Sequence, residues 1–149
     1  MYKRQEINID EIGLVSNDVH QISLVDWSDV SSIVKFKSEF KDYLVHLDDY
    51  SHVIVVGWLY LIPSELRNRS QAYPNGDAEL PLQGALALRG GARPNPISVT
   101  VCQIIDLQEN ELVLKGLDLV DGTPILDIKP YIPFYDSKVN AQLPVWAGG

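Results

Sequence analysis

Residues 82–128 read LQGALALRGGARPNPISVTVCQIIDLQENELVLKGLDLVDGTPILDI, and the spacing of their apolar runs decides the fold class. Short runs at 82–88, 97–105, 111–117 and 124–128 are set apart by glycine, proline and aspartate. Glycine accepts positive φ, proline fixes φ, and aspartate bonds back to its own backbone, so these separators are turn formers. Runs so short and so regularly punctuated predict a mainly β chain that closes into a barrel or packs as a sandwich, with little helix.

Upstream, Gln21–Asp26 (QISLVD) and Ser32–Lys37 (SIVKFK) alternate apolar and polar residues with period two, the pattern of half-buried strands. From Ser38 the period changes. Phe40, Tyr43, Leu44 and Leu47 recur at helical spacing behind Ser38 as N-cap, and Asp48-Asp49 ends the run, which predicts one short helix over about 39–48. Ser51–Leu61 (SHVIVVGWLYL) is β-branched and aromatic and apolar on both faces, as expected of a strand buried in a barrel or between layers. Residues 62–81 (IPSELRNRSQAYPNGDAELP) hold three prolines and an Asn-Gly pair and read as a long loop.

At 149 residues, with 46% hydrophobic and 21% charged residues, the chain is expected to form one domain over 1–149. The stretch Val53–Pro63 is too short to cross a bilayer, and MYKRQEINIDE lacks the apolar core of a signal peptide. No membrane association and a cytoplasmic location are therefore expected. Cys102 is the only cysteine, which excludes an internal disulfide or a cysteine-rich zinc site, and VTVCQII reads as a strand that buries it. Twelve Lys+Arg against twenty Asp+Glu give a net charge of −8. That balance opposes broad charge-driven binding of nucleic acid, so any RNA contact needs a local basic patch.

Two segments carry the chemistry. In the first, Arg89 precedes Gly90-Gly91, and Arg93-Pro94-Asn95-Pro96 follows. Glycine lets backbone approach a ligand, while the prolines stiffen the loop and pre-aim Asn95. Arg89 and Arg93 carry planar forks suited to a carboxylate, a phosphate or a base. The plainer reading is a proline-rich turn whose arginines pair with surface carboxylates. In the second segment, Asp118, Asp121 and Asp127 surround Asp121-Gly122-Thr123-Pro124. Their spacing matches no calcium loop, so no metal site is expected; Asp121-Gly122 reads as a turn and Asp127-Ile128-Lys129 as a strand end with an ion pair. A carboxylate here also suits ribose hydroxyls, an amino group, or proton removal from an acceptor.

His20, His46 and His52 share no metal-ligand spacing, and Ser51 lacks the glycine-flanked elbow of a hydrolase nucleophile. Neither GxGxxG nor a Walker motif is present, which argues against dinucleotide use and phosphoryl transfer.

Taken in order, Ile12-Gly13-Leu14-Val15, Tyr50-Ser51-His52-Val53, Ala87-Leu88-Arg89…Arg93-Pro94-Asn95-Pro96-Ile97 and Asp118-Leu119-Val120-Asp121-Gly122-Thr123-Pro124…Asp127-Ile128-Lys129-Pro130-Tyr131 resemble the TrmO (TsaA-like) family from end to end. The resemblance implies a single β-barrel domain and a homodimer that holds S-adenosylmethionine near its interface. The implied reaction methylates the exocyclic nitrogen of threonylcarbamoyladenosine beside a tRNA anticodon. Carried over by motif, Ser51, His52, Arg89, Pro94, Asn95, Pro96 and a strand Leu117-Asp118-Leu119-Val120 would line the cofactor site. Arg89, Arg93, Asn95 and Asp121 would serve the reaction. The chain departs from the family pattern at Gly90-Gly91-Ala92, at Ser98 and across 16–30. The alternatives are therefore a small-molecule acceptor such as a metabolite or natural product, or a nucleoside-binding module without catalysis.

Overall fold

The computed structural model describes residues 5–21 and 25–148. Six antiparallel strands close a barrel: β1 (Gly13–Ser16), β2 (Ser31–Phe36), β3 (His52–Trp58), β6 (Ile97–Gln108), β7 (Glu111–Lys115) and β8 (Pro124–Pro130). Their order around it is β1-β2-β7-β6-β3-β8. A separate two-stranded ribbon, β4 (Gln71–Ala72) with β5 (Gln83–Gly84), lies in the excursion between β3 and β6.

Alternation builds the interior. Val34 on β2, Val53 and Val55 on β3, Leu112 and Leu114 on β7, and Ile125 on β8 are buried at every second position. Each such side chain contributes about 1.5–3 kcal/mol on leaving water. Gly13 is required where β1 meets β2, because a Cβ there would lie 2.8 Å from the Lys35 carbonyl oxygen. The β6–β7 hairpin turns through Glu109 and Asn110, with Glu109 at φ 53°.

The barrel expected from the apolar runs is present, and its strands at 32–37, 97–105, 111–117 and 124–128 lie within a few residues of their expected places. The expected strand Gln21–Asp26 centres on residues outside those described. Three local expectations are corrected. Residues 39–48 form no α-helix: a tight 3-10 helix covers Ser38–Leu44 and a second turn covers Leu47–Asp49. His46 stands between them at φ 69°, and only Leu44 among them is fully buried, so little packing supports a continuous helix. Ser38 is the first helical residue; Lys37 takes the cap position, without a side-chain bond.

Residues 82–88 contribute only β5 and a 3-10 turn at Ala85–Ala87. That run contains no β-branched residue, and no barrel strand lies beside it. Residues 117–120 form no strand either. Gly116, at φ 87°, ends β7, and Leu117 and Leu119 point inward on a backbone that joins no ladder. Among the described residues, no helix is long and apolar enough to cross a membrane.

Cys102 is buried in β6, and this burial, with the nearby Asp118 carboxylate, pushes its thiol up to about 12 from 9.0. The folded state therefore holds the proton more tightly than the unfolded chain. Stability from this group is complete below pH 9.0 and falls as pH rises through the window from 9.0 to about 12. Cys102→Ala is expected to flatten that alkaline loss in urea titrations, and a thiol reagent at neutral pH should label the wild-type chain only after unfolding.

Candidate functional site

β6 is paired with β3 along Ile97–Gln103, but β7 joins it only from Gln103 onward. The Ile97–Cys102 stretch thus keeps an open edge, and a cleft of about 930 Å³ opens there. Arg89, Arg93 and Asn95 from the incoming loop, Ser98 and Thr100 from β6, and Asp118 opposite line it. Asp118 accepts a hydrogen bond from the Thr100 hydroxyl, which holds one carboxylate oxygen in place.

The arginines are more tightly engaged than their sequence suggests. Arg89 donates to the Val99 carbonyl at 2.9 Å. Arg93 donates through one nitrogen to the carbonyls of Leu88 (2.9 Å) and Gly90 (3.0 Å), so it shapes the loop from within. Neither has a carboxylate partner among the described residues, which sets aside the plain reading of surface ion pairs. Because each fork uses only one nitrogen on backbone, donors remain for a ligand. The Ser98 hydroxyl, also at this cleft, is buried without a hydrogen-bond partner.

A second, more apolar pocket of about 330 Å³ adjoins the first through Asp118. Trp27, Leu59, Ile62, Leu119, Val120 and Gly91 are among its walls. Gly91 packs against Ile62 here, so a Cβ, 2.6 Å from Ile62 Cδ1, would require the end of that side chain to shift. Asp118 thereby stands between the two spaces, Leu119 and Val120 line the apolar one, and Leu117 is fully buried in the core.

Other expected residues lie apart. Ser51 and His52 sit at the far end of β3: His52 pairs with Gln103, whereas Trp58 pairs with Ile97 at the loop end. Ser51 Oγ and His52 Nδ1 are 2.7 Å apart, and the imidazole meets Tyr131 edge-on at 6.3 Å. Asp121 faces the start of the chain, accepting from the Asn17 N–H at 3.0 Å and lying 3.4 Å from His20 Nδ1. Asp127 pairs with Lys129 at 3.0 Å, as its spacing suggested. The three aspartates do not converge, and no cluster of three potential metal-ligating acidic, His or Cys side chains occurs among the described residues. Pro94 borders a third pocket, of about 450 Å³, beside Arg69 and Ala85, and Pro96 is buried with its carbonyl accepting from the Leu59 N–H at 2.8 Å.

Two residues unnoticed in the sequence organise these walls. Asn17 donates to the Leu119 carbonyl (2.8 Å) and the Ser32 hydroxyl (2.9 Å) and accepts from the Val19 N–H (2.9 Å). Arg67, on the 3-10 turn Ser64–Asn68, reaches across to the Pro94–Asn95 backbone and side chain. Local pattern offers little signal for either, because every partner except Val19, two residues from Asn17, lies 15 to 104 residues away.

The pattern of the tRNA-methyltransferase O N-terminal domain family matches residues 20–137. A probable S-adenosyl-L-methionine-binding protein of Pyrococcus abyssi is 32% identical over 115 residues, which are 77% of this chain and 60% of that protein. A mouse tRNA (adenine(37)-N6)-methyltransferase is 34% identical over 103 residues, 67% of this chain and 23% of the mouse protein. The crystal structure of TrmO from Pseudomonas aeruginosa superposes with a TM-score of 0.73 at 25% identity, over 93% of this chain and 61% of that one. The chain thus spans less than two thirds of the length of each.

Proposed function

The chain belongs to the tRNA-methyltransferase O N-terminal domain family, and on that premise we propose that it is an S-adenosylmethionine-dependent methyltransferase. Its proposed acceptor is the exocyclic nitrogen of threonylcarbamoyladenosine next to a tRNA anticodon, in the cytoplasm. The open edge of β6 carries the reading, because it gathers the Arg89–Asn95 loop and Asp118 at one cleft beside an apolar pocket.

The donor set fits the cofactor. Spare guanidinium donors of Arg89 and Arg93 suit its carboxylate, Asp118 suits an amino group or ribose hydroxyls, and the unpartnered Ser98 hydroxyl offers a further contact. Leu59, Ile62 and Leu119 suit the flat face of an adenine. When bound, the cofactor would supply a sulfonium methyl for in-line transfer to an acceptor nitrogen, the C–S electron pair staying on sulfur and the nitrogen's proton leaving to solvent. The chain's own task is positioning and exclusion of water, since among the described residues no general base lines the cleft other than Asp118, which Thr100 already engages.

Arg67 and Arg69 border one pocket on the excursion and Arg89 and Arg93 line the cleft beside it, and none of the four forms an ion pair among the described residues. They supply the local basic patch that an RNA acceptor needs on a chain of net charge −8. A homodimer is part of the proposal, supported by the exposed apolar stripe of Val99, Val101 and Ile105 beside the cleft. Such a dimer would also account for Ser51 and His52 lying outside the cleft of one chain. The alternative acceptor, a small metabolite, is favoured by Gly90-Gly91-Ala92, where Gly91 packs on Ile62 and presents no side chain to a substrate.

Calorimetry with S-adenosylmethionine tests the premise. Binding is expected, and Arg89→Ala should weaken it roughly ten- to a hundredfold, the worth of one charge-assisted hydrogen bond, without lowering the melting temperature. Methyl transfer into tRNA from a strain lacking this gene is expected next. Transfer to a metabolite pool but not to tRNA would move the assignment to the alternative, and absence of binding would end both.

A further inference from the structure

Arg67 makes three contacts on the far side of the cleft wall. Its Nε donates to the Pro94 carbonyl at 2.6 Å, a terminal nitrogen donates to Asn95 Oδ1 at 3.0 Å, and its guanidinium lies 5.5 Å over the Trp58 ring. A guanidinium has donors and no acceptor, so the oxygen of the Asn95 amide must face it. The Asn95 NH2 group is thereby left to the opposite side, and Asn95 is one of the residues lining the cleft. No partner takes that NH2 group among the described residues.

We infer that Arg67 is a positioning residue that locks the Asn95 amide with its NH2 group toward the cleft, so that this wall donates a hydrogen bond to an acceptor atom of the cofactor. The inference rests on the cofactor assignment above. The bidentate reach explains why arginine stands at 67: it ties the proline-stiffened loop at a backbone atom and a side-chain atom together, while Trp58 holds the plane of the fork. A lysine ammonium has donors but no planar fork to match the two oxygens side by side or to stack on the Trp58 ring. The acceptor is either the carboxylate of the amino-acid part or a ring nitrogen or hydroxyl of the nucleoside.

The test is equilibrium binding of S-adenosylhomocysteine and of 5′-methylthioadenosine, which lacks the carboxylate, to the full chain. Arg67→Ala, Arg67→Lys and Asn95→Ala are each expected to weaken S-adenosylhomocysteine about tenfold, the usual worth of one hydrogen bond. In the Asn95→Ala background, Arg67→Ala should add nothing, because the donor it positions is gone. Independent, multiplying effects would overturn the inference. Asn95→Asp keeps an oxygen for Arg67 but removes the donor; it should bind about tenfold more weakly at an unchanged melting temperature, and wild-type affinity would overturn the inference even if the Arg67 variants failed to fold. Weakening of both ligands assigns the acceptor to the nucleoside, and weakening of S-adenosylhomocysteine alone assigns it to the carboxylate. Loss of any binding by the wild-type chain would remove the cofactor assignment and this inference together, whereas wild-type binding with unaffected variants removes only the inference.

Discussion

Leu119→Ala should lower the unfolding free energy by roughly 2–5 kcal/mol, read as a shift of the urea midpoint at unchanged slope. Leu119 is 2% exposed, and its Cδ1 lies 3.0 Å from where a Cβ on Gly57 would stand. The truncation therefore leaves a void between β3 and the 117–120 segment, and β3 cannot collapse into it while paired on both sides to β6 and β8. The same side chain forms part of the apolar pocket wall, so cofactor affinity should fall with stability. A stability loss below about 1 kcal/mol would mean that the segment repacks freely and is not a fixed wall.

Asn17→Ala is expected to cost roughly 2–4 kcal/mol, a large effect for a residue outside the hydrophobic core. Its amide donates to the Leu119 carbonyl and the fully buried Ser32 hydroxyl, and its carbonyl oxygen receives the Val19 N–H. Truncation removes all three bonds and leaves buried groups short of partners, which costs more than the bonds are worth in water. Asn17→Asp retains the acceptor for Val19 and loses both donations, while placing a second carboxylate near Asp121. It should be at least as damaging as the alanine variant in thermal melts. An aspartate variant more stable than wild type would show that the two donations are not what holds the segment.

The strand at 32–37 was legible because period two and β-branched content coincide there, and that at 97–105 because an apolar, β-branched run stands between turn formers. The stretch at 117–120 shows the limit of that reasoning. Leu117 and Leu119 alternate like strand residues, yet their backbone is held by Asn17 instead of a neighbouring strand. At 82–88 the apolar residues were genuine but had no ladder to join. Within the site, the loop Arg89–Pro96 and Asp118 could be singled out by residue type. What they bond could not: Arg89 and Arg93 bind carbonyls of their own loop and strand, and Arg67 arrives from a distant turn. Those choices depend on tertiary proximity, which a local pattern does not encode.

The barrel closes where β1 meets β8, and the seam comprises only two residue pairs, Gly13 with Ile125 and Leu14 with Pro124, flanked by bonds from the Ile12 and Val15 N–H groups. Pro124 has no N–H to give, whereas β3 and β6 share seven pairs. The hoop therefore has one weak clasp, and thermal fluctuation will part it well before the rest of the wall comes undone. Amide protons at 12–15 should exchange with solvent ahead of those in β3. Because Asn17 and Thr123 sit at this clasp, its opening also loosens the segment that carries Leu119 and Asp118, so a ligand gripping that segment would slow exchange across the barrel's seam.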